Sequence, residues 1–294
     1  MKNIIIFLIF LLINVCESQV KYVTTIHPFQ QIVKNITDER AQVDCLLSAG
    51  ASPHTFELQP SDLLKVEKAW AIIMDGAGLD SWALKFQNSH KIQLITLIPD
   101  SILIHTENKR KNSETHHPSQ LHTHTGGIDP HFWTDPLAVK SILYPLVDSL
   151  CTIDMEGCDI YKANTIQFAV NLDSLNARTM RALASVRNTA VMLTHPFFVY
   201  YFKRYGINLV GTIETAPGVE PSPKEIKKII ENVKRLKVKA IFSHPQLSDR
   251  SAQIIAEATG IKVYQLDPLG GVKGRQTYEK LLDYNTQIIL EALR

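Results

Sequence analysis

The chain has 294 residues, 45% of them hydrophobic and 20% charged, enough for one or two globular domains with sizeable cores. A formal net charge of +2 leaves no electrostatic footprint for nucleic acid or for an anionic membrane surface. Four cysteines are too few for a scaffold that depends on disulfides.

The N-terminus reads as an export signal. Met1-Lys2-Asn3 is followed by an almost purely apolar run from Ile4 to Val15 and then by polar Glu17-Ser18-Gln19. A basic start and a short apolar core describe a secretory leader, and the run is short for a membrane span. Cleavage is expected after Ser18, so residues 1–18 are the signal peptide and the mature protein is periplasmic or otherwise extracytoplasmic. Two other readings stand: an uncleaved anchor, and lipid attachment at Cys16, although Val15 occupies the place where a lipoprotein signal has a small residue. In an oxidising compartment Cys151 and Cys158 are close enough in sequence to bridge a small loop, leaving Cys45 free. Spacing alone does not determine the pairing.

Along the mature chain a strand–helix alternation runs twice. In the first half the strands are Val20–Thr25, Gln42–Leu47, Ala71–Met74 and Ile92–Leu97; the helices are Phe29–Thr37, Asp62–Lys68 and Ser81–Gln87. In the second half the strands are Thr189–Leu193, Leu209–Glu214, Ala240–Ser243 and Val263–Leu266. The helices there are Phe197–Tyr205, Pro223–Leu236 and Asp249–Thr259. Between the halves, Asp154 to Val186 has no proline and a helical apolar spacing, with Gly157 weakening its first turn. The expected fold is therefore α/β, with two lobes that are each a mainly parallel sheet flanked by helices, joined by one long rigid helix. The expected layout is an N-terminal lobe over residues 19–150, a connecting helix over 151–187 and a C-terminal lobe over 188–294. Residues 105–127 interrupt the pattern as a polar loop carrying His105, His116, His117, His122 and His124. It reads either as a solvated excursion or as a weak zinc-collecting tether, an idea weakened by Lys109, Arg110 and Lys111, which repel a cation.

Four short motifs carry the chemistry. His54 closes Gly50-Ala51-Ser52-Pro53-His54, His131 lies in Asp129-Pro130-His131-Phe132-Trp133, His195 in Leu193-Thr194-His195-Pro196, and Asp267 in Leu266-Asp267-Pro268-Leu269-Gly270. Imidazole and carboxylate suit Zn²⁺, and four protein ligands make a closed tetrahedral site with no open position for catalysis. His195 and Asp267 follow the ends of expected strands, where parallel sheets bind their ligands. Taken singly, each is an ordinary turn signal. No His-Glu-x-x-His helix and no Gly-x-Ser-x-Gly elbow is present, so a zinc hydrolase would need Asp267 to act as a base rather than a ligand. Phe132, Trp133, Phe197, Phe198 and Tyr201 read as packing that keeps such a site dry.

These motifs together resemble the ZnuA-like zinc-binding receptors of bacterial ABC importers. The string from Gly50 to Asp62 resembles their first metal motif, Asp129 to Pro136 their second and Thr194 to Phe197 their third. Glu220 to Pro223, Ile241 to Gln246 and Leu266 to Leu269 are similar to the C-terminal blocks. The resemblance covers essentially the whole mature chain. It implies a metal site in the cleft between two lobes, with His54 and His131 from the first and His195 and Asp267 from the second. The cargo is then Zn²⁺, a transported ligand rather than a catalytic cofactor, delivered by a monomeric receptor to a membrane permease with a cytoplasmic ATPase. Related manganese receptors usually carry a carboxylate at position 195, and three imidazoles favour zinc; manganese or another divalent ion remains the alternative cargo. Position 244 departs from the pattern: it is His where relatives usually show Glu, and it reads as a surface histidine, with an auxiliary ligand as the other reading. His27 reads as structural or as facing the cleft, and His90 has no distinguishing context.

Overall fold

The computed structural model describes residues 20–86, 90–106, 127–214, 216 and 218–294. The expected leader, Cys16, and His116, His117, His122 and His124 lie outside the described residues.

The first half builds β1 (Val20–Thr24), α1 (His27–Thr37), β2 (Ala41–Cys45), α2 (Pro60–Glu67), β3 (Ala71–Met74) and β4 (His90–Gln93). These four strands form one parallel sheet in the order β2-β1-β3-β4. Every residue of β3 is buried, as expected of a central strand covered on both faces. On α1, Phe29, Ile32, Val33 and Ile36 recur at helical spacing and are all buried, while Pro28 in the first turn presets the backbone for the helix. Two helices follow, α3 (Pro136–Ile153) and α4 (Cys158–Ala182), and the second half then builds β5 (Ala190–Leu193), α5 (Val199–Tyr205) and β6 (Asn208–Thr212). It continues with α6 (Pro223–Arg235), β7 (Ala240–Ser243), α7 (Arg250–Thr259), β8 (Lys262–Gln265) and α8 (Tyr278–Leu293). Its sheet repeats the first, parallel in the order β6-β5-β7-β8. Ser222 and Glu225 cap α6 reciprocally, and Gly206, at φ 70°, ends α5 in the left-handed region.

Several elements depart from expectation. Ser81–Lys85 is a short 3-10 turn instead of a helix, and the strand expected over Ile92–Leu97 ends at Gln93. There the chain turns so that the Ile95 N–H bonds the carbonyl of Asp75 at 2.9 Å, leaving the ladder. Residues 151–153 close α3, and the connecting helix starts at Cys158, after a turn spanned by the Cys151–Cys158 disulfide. At 25 residues α4 is about 38 Å long. The Asn164 side chain on α4 donates to the Ile36 carbonyl at the end of α1 (3.0 Å), and Arg178 on α4 pairs with Asp283 on α8. The helix is thus fastened to both halves.

The sheets share a core. A single apolar cluster includes Tyr22, Phe29, Phe132 and Trp133 together with Phe197, Tyr201, Phe202 and Tyr278. Across the same contact, Trp133 Nε1 donates to the Pro268 carbonyl (2.8 Å) and the Tyr278 hydroxyl donates to the Trp133 carbonyl (2.7 Å).

Candidate metal centre

Each candidate ligand sits where local chemistry bends the chain. His54 lies in a one-turn 3-10 helix, Pro53–Thr55, started by Pro53 and by the Ser52 hydroxyl accepting the His54 N–H. His131 precedes a similar turn, Phe132–Thr134, where Asp129 Oδ1 accepts both the His131 N–H (2.9 Å) and its ring Nδ1–H (3.0 Å). Those two hydrogen bonds to one carboxylate select the tautomer with the proton on Nδ1, so that Nε2 is the nitrogen able to ligate a metal. His195 follows β5. Its neighbour Thr194 bonds the Phe242 carbonyl and accepts from the Glu214 N–H, so β5, β6 and β7 jointly position it.

The fold brings the three histidines together. One ring nitrogen of each lies within 4.8 Å of the others, and His131 and His195 are buried while His54 is half-buried. A tetrahedral zinc site with metal–nitrogen bonds near 2.0–2.1 Å has ligand–ligand edges of about 3.3 Å, so the three rings are pre-positioned and need only a short convergence. Phe197 makes the common wall: its ring centroid is 4.6 Å from those of His131 and His195 and 5.6 Å from that of His54.

Asp267 lies outside that trio. Its Oδ1 accepts from the N–H groups of Leu269 (3.0 Å) and Gly270 (3.1 Å) and from Gln246 Nε2 (3.3 Å). Its Oδ2 faces the Arg275 guanidinium at 3.1 Å. Asn285 holds the backbone on both sides, accepting from the Asp267 N–H and donating to its carbonyl, each at 2.7 Å.

The family model for ZnuA, the zinc-uptake complex component A periplasmic, matches residues 23–292. This chain belongs to the ZnuA family. A zinc-binding protein AdcA of Streptococcus pyogenes is 27% identical over 294 residues, covering 95% of this chain and 56% of the relative. The chain thus spans about half the length of the AdcA relatives it matches. A Thermotoga maritima protein, provisionally named as metal-binding, is 29% identical over 295 residues and matches along 100% of both chains. A ZnuA crystal structure superimposes with a TM-score of 0.78 at 24% identity, covering 94% of this chain and 99% of the other. The family consists of metal-binding receptors, and the zinc-hydrolase reading falls with this assignment.

Around the trio lie further groups, one of which corrects the sequence reading. His244, expected at the surface, is buried; its ring stacks edge-on against Phe197 at 4.4 Å and lies 6.0 Å from that of His195. Burial, with the His131 side chain as a lesser cause, pulls its pKa down to about 4, against a small opposing effect from Gln246. Glu214 Oε2 stands 3.7 Å from His195 Nδ1. Burial pushes the Glu214 carboxyl up to about 7, opposed by the Gly218 N–H that it accepts. His27 is apart from the trio, with Nδ1 3.4 Å from Gln30 Oε1. The loop after Asp267 presses onto its ring: Gly271 has φ 75°, and a Cβ there would lie 2.6 Å from His27 Cδ2, so only glycine fits. His105 is exposed beside Asp100, and His90 is exposed at the start of β4. No motif announces Arg275 or Glu214; both are placed by tertiary structure alone.

Proposed function

We propose that this protein is an extracytoplasmic receptor that captures Zn²⁺ between its two sheets and delivers it to a membrane permease with a cytoplasmic ATPase. The observation carrying this reading is the convergence of His54, His131 and His195 on one buried point, reached from three separate loops. These histidines are the proposed ligands, and Asp267 is the proposed carboxylate ligand once it leaves Arg275. Three imidazoles and a carboxylate make a four-coordinate site of intermediate softness, which suits zinc better than the oxygen-rich surroundings manganese prefers. Fold neighbours include the solute-binding protein FpvC of Pseudomonas aeruginosa in complex with Mn²⁺, so cargo choice rests on the ligands and not on the fold. An export leader over residues 1–18, with lipid attachment at Cys16 as the other form of exit, and a monomeric state belong to the same reading.

Calorimetric titration of Zn²⁺ and Mn²⁺ into metal-stripped mature protein tests it. One tight zinc site is expected, lost in each of His54→Ala, His131→Ala and His195→Ala and kept when residues 105–127 are removed. His195→Glu is expected to move preference toward manganese. Weak multiple binding that disappears with the 105–127 segment would defeat the reading.

A further inference from the structure

The proposed site has more imidazoles than the four-residue set uses. His244 follows β7 at the carboxyl end of the second sheet, the same edge that presents His195 after β5 and Asp267 after β8. It is only 4% exposed; neither ring nitrogen meets the geometry of a full hydrogen bond among the described residues, and the Gln246 amide is the weak polar neighbour it has. A buried imidazole left in that condition is costly, and natural interiors rarely keep one without a use. Its ring packs on the same face-forming Phe197 as the three clustered histidines, and its 6.0 Å centroid separation from His195 matches the 5.9 Å between His54 and His131. Beside it, Gln246 Oε1 is also buried without a full hydrogen bond, while the Nε2 of the same amide is on Asp267. The amide oxygen suits the imidazole: a histidine that ligates through one nitrogen needs an acceptor for the N–H on the other, and Gln246 can supply it while the second nitrogen faces the cleft ion. Asp267, meanwhile, is occupied by Arg275 and by backbone N–H groups in this arrangement.

We infer that His244, which lies outside the 4.8 Å trio, turns in as a fourth imidazole ligand of the same cleft ion beside His54, His131 and His195 while Asp267 stays on Arg275. The inference rests on the zinc-receptor reading above and deepens it. The site then offers two alternative fourth ligands: an imidazole with Asp267 held back, and a carboxylate once Arg275 lets it go. An all-nitrogen shell excludes manganese more strongly than a mixed one.

The test uses metal-stripped mature protein carrying Asp267→Asn, His244→Gln, or both, with the His54→Ala, His131→Ala double variant as the reference for loss of the whole site. Zinc affinity is measured by chelator competition and imidazole number by zinc K-edge X-ray absorption. Asp267→Asn is expected to keep tight zinc with four imidazoles around it, and adding His244→Gln to that background is expected to cost at least about tenfold in affinity and one imidazole. Three imidazoles in Asp267→Asn, loss of tight binding in that single variant, or an unchanged affinity on adding His244→Gln would each overturn the inference while leaving the receptor reading intact. Absence of tight zinc in the unaltered protein, or its retention in the His54→Ala, His131→Ala double variant, would instead sink the receptor reading.

Discussion

Phe197 and Asp129 hold rings in place before any metal arrives, Phe197 by packing on all three histidines and Asp129 by bonding His131. Phe197 contributes apolar packing to four imidazoles at once, with centroid separations from 4.4 to 5.6 Å. Phe197→Ala is expected to destabilise the protein by about 3–5 kcal/mol in urea unfolding, through lost burial and the cavity left behind, and to weaken zinc as the rings lose their wall. Asp129 acts electrostatically, presenting its carboxylate to His131 Nδ1. Asp129→Asn is expected to keep the fold and lower zinc affinity about 10–100-fold; chelator competition that finds equal affinity would show that the carboxylate does not orient the ring. At this scale the sequence is informative where a residue type announces its chemistry. His54, His131 and His195 stand out as imidazoles in proline-rich turns. His244 has a similar local context, His244-Pro245, yet its burial depends on Phe197 and on the neighbouring strands, so periodicity does not disclose it. Arg275 and the Glu214 carboxyl acquire their roles only through partners distant in sequence.

Elements divide in the same way. The short buried strands β3 and β7 match the sequence expectation residue for residue, because a run such as Ala-Ile-Ile-Met bounded by polar residues has few alternatives. The sequence reading assigns no element over α3, where Pro145 sits inside the helix and opposes it; the buried stripe, including Ile142, Leu143, Leu146 and Leu150, overrides that preference. The turn between α3 and α4 is bound twice, by the disulfide and by Asp154. Removing the disulfide with Cys151→Ser and Cys158→Ser is expected to lower unfolding free energy by about 2–3 kcal/mol, on a loop-closure estimate, with zinc stoichiometry unchanged. Asp154 accepts from Arg40 at 2.7 and 3.0 Å and from the Tyr161 hydroxyl at 2.5 Å. The Arg40 guanidinium, ahead of the Tyr161 and Gly157 donors, holds the Asp154 carboxyl below its ordinary range. A carboxylate favoured in the folded state stabilises fully above its unfolded pKa, near 3.9, and that contribution vanishes as pH falls through the lowered folded value. Urea midpoints should therefore decline between about pH 5 and pH 2, with a smaller decline in Arg40→Met. Equal pH slopes for the two proteins would remove Arg40 from this account.

At the scale of the whole molecule, alternating strands and helices disclose two parallel sheets, but not that they share one hydrophobic core. That core depends on which aromatic side chains meet across the cleft, and Phe29, Trp133 and Tyr278 come from segments remote in sequence. Its consequence is mechanical. A wide hinge opening would have to break the Trp133–Pro268 and Tyr278–Trp133 hydrogen bonds and expose large aromatic surfaces, while α4 braces α1 and α8 together. Closing the histidine trio from within 4.8 Å to a tetrahedral edge asks only for ring and loop adjustments of about 1.5 Å. Zinc is thus expected to tighten the loops carrying His54, His195 and Asp267 without moving one sheet relative to the other. Small-angle scattering of metal-stripped and zinc-loaded protein should give superimposable profiles, while hydrogen exchange slows in those three loops. The Tm should rise, because a ligand that binds only the folded state adds about 4 kcal/mol of stability at a thousand times its Kd. A clear fall in radius of gyration on zinc binding would mean that the shared core parts in the free protein, and that the cleft closes by hinging.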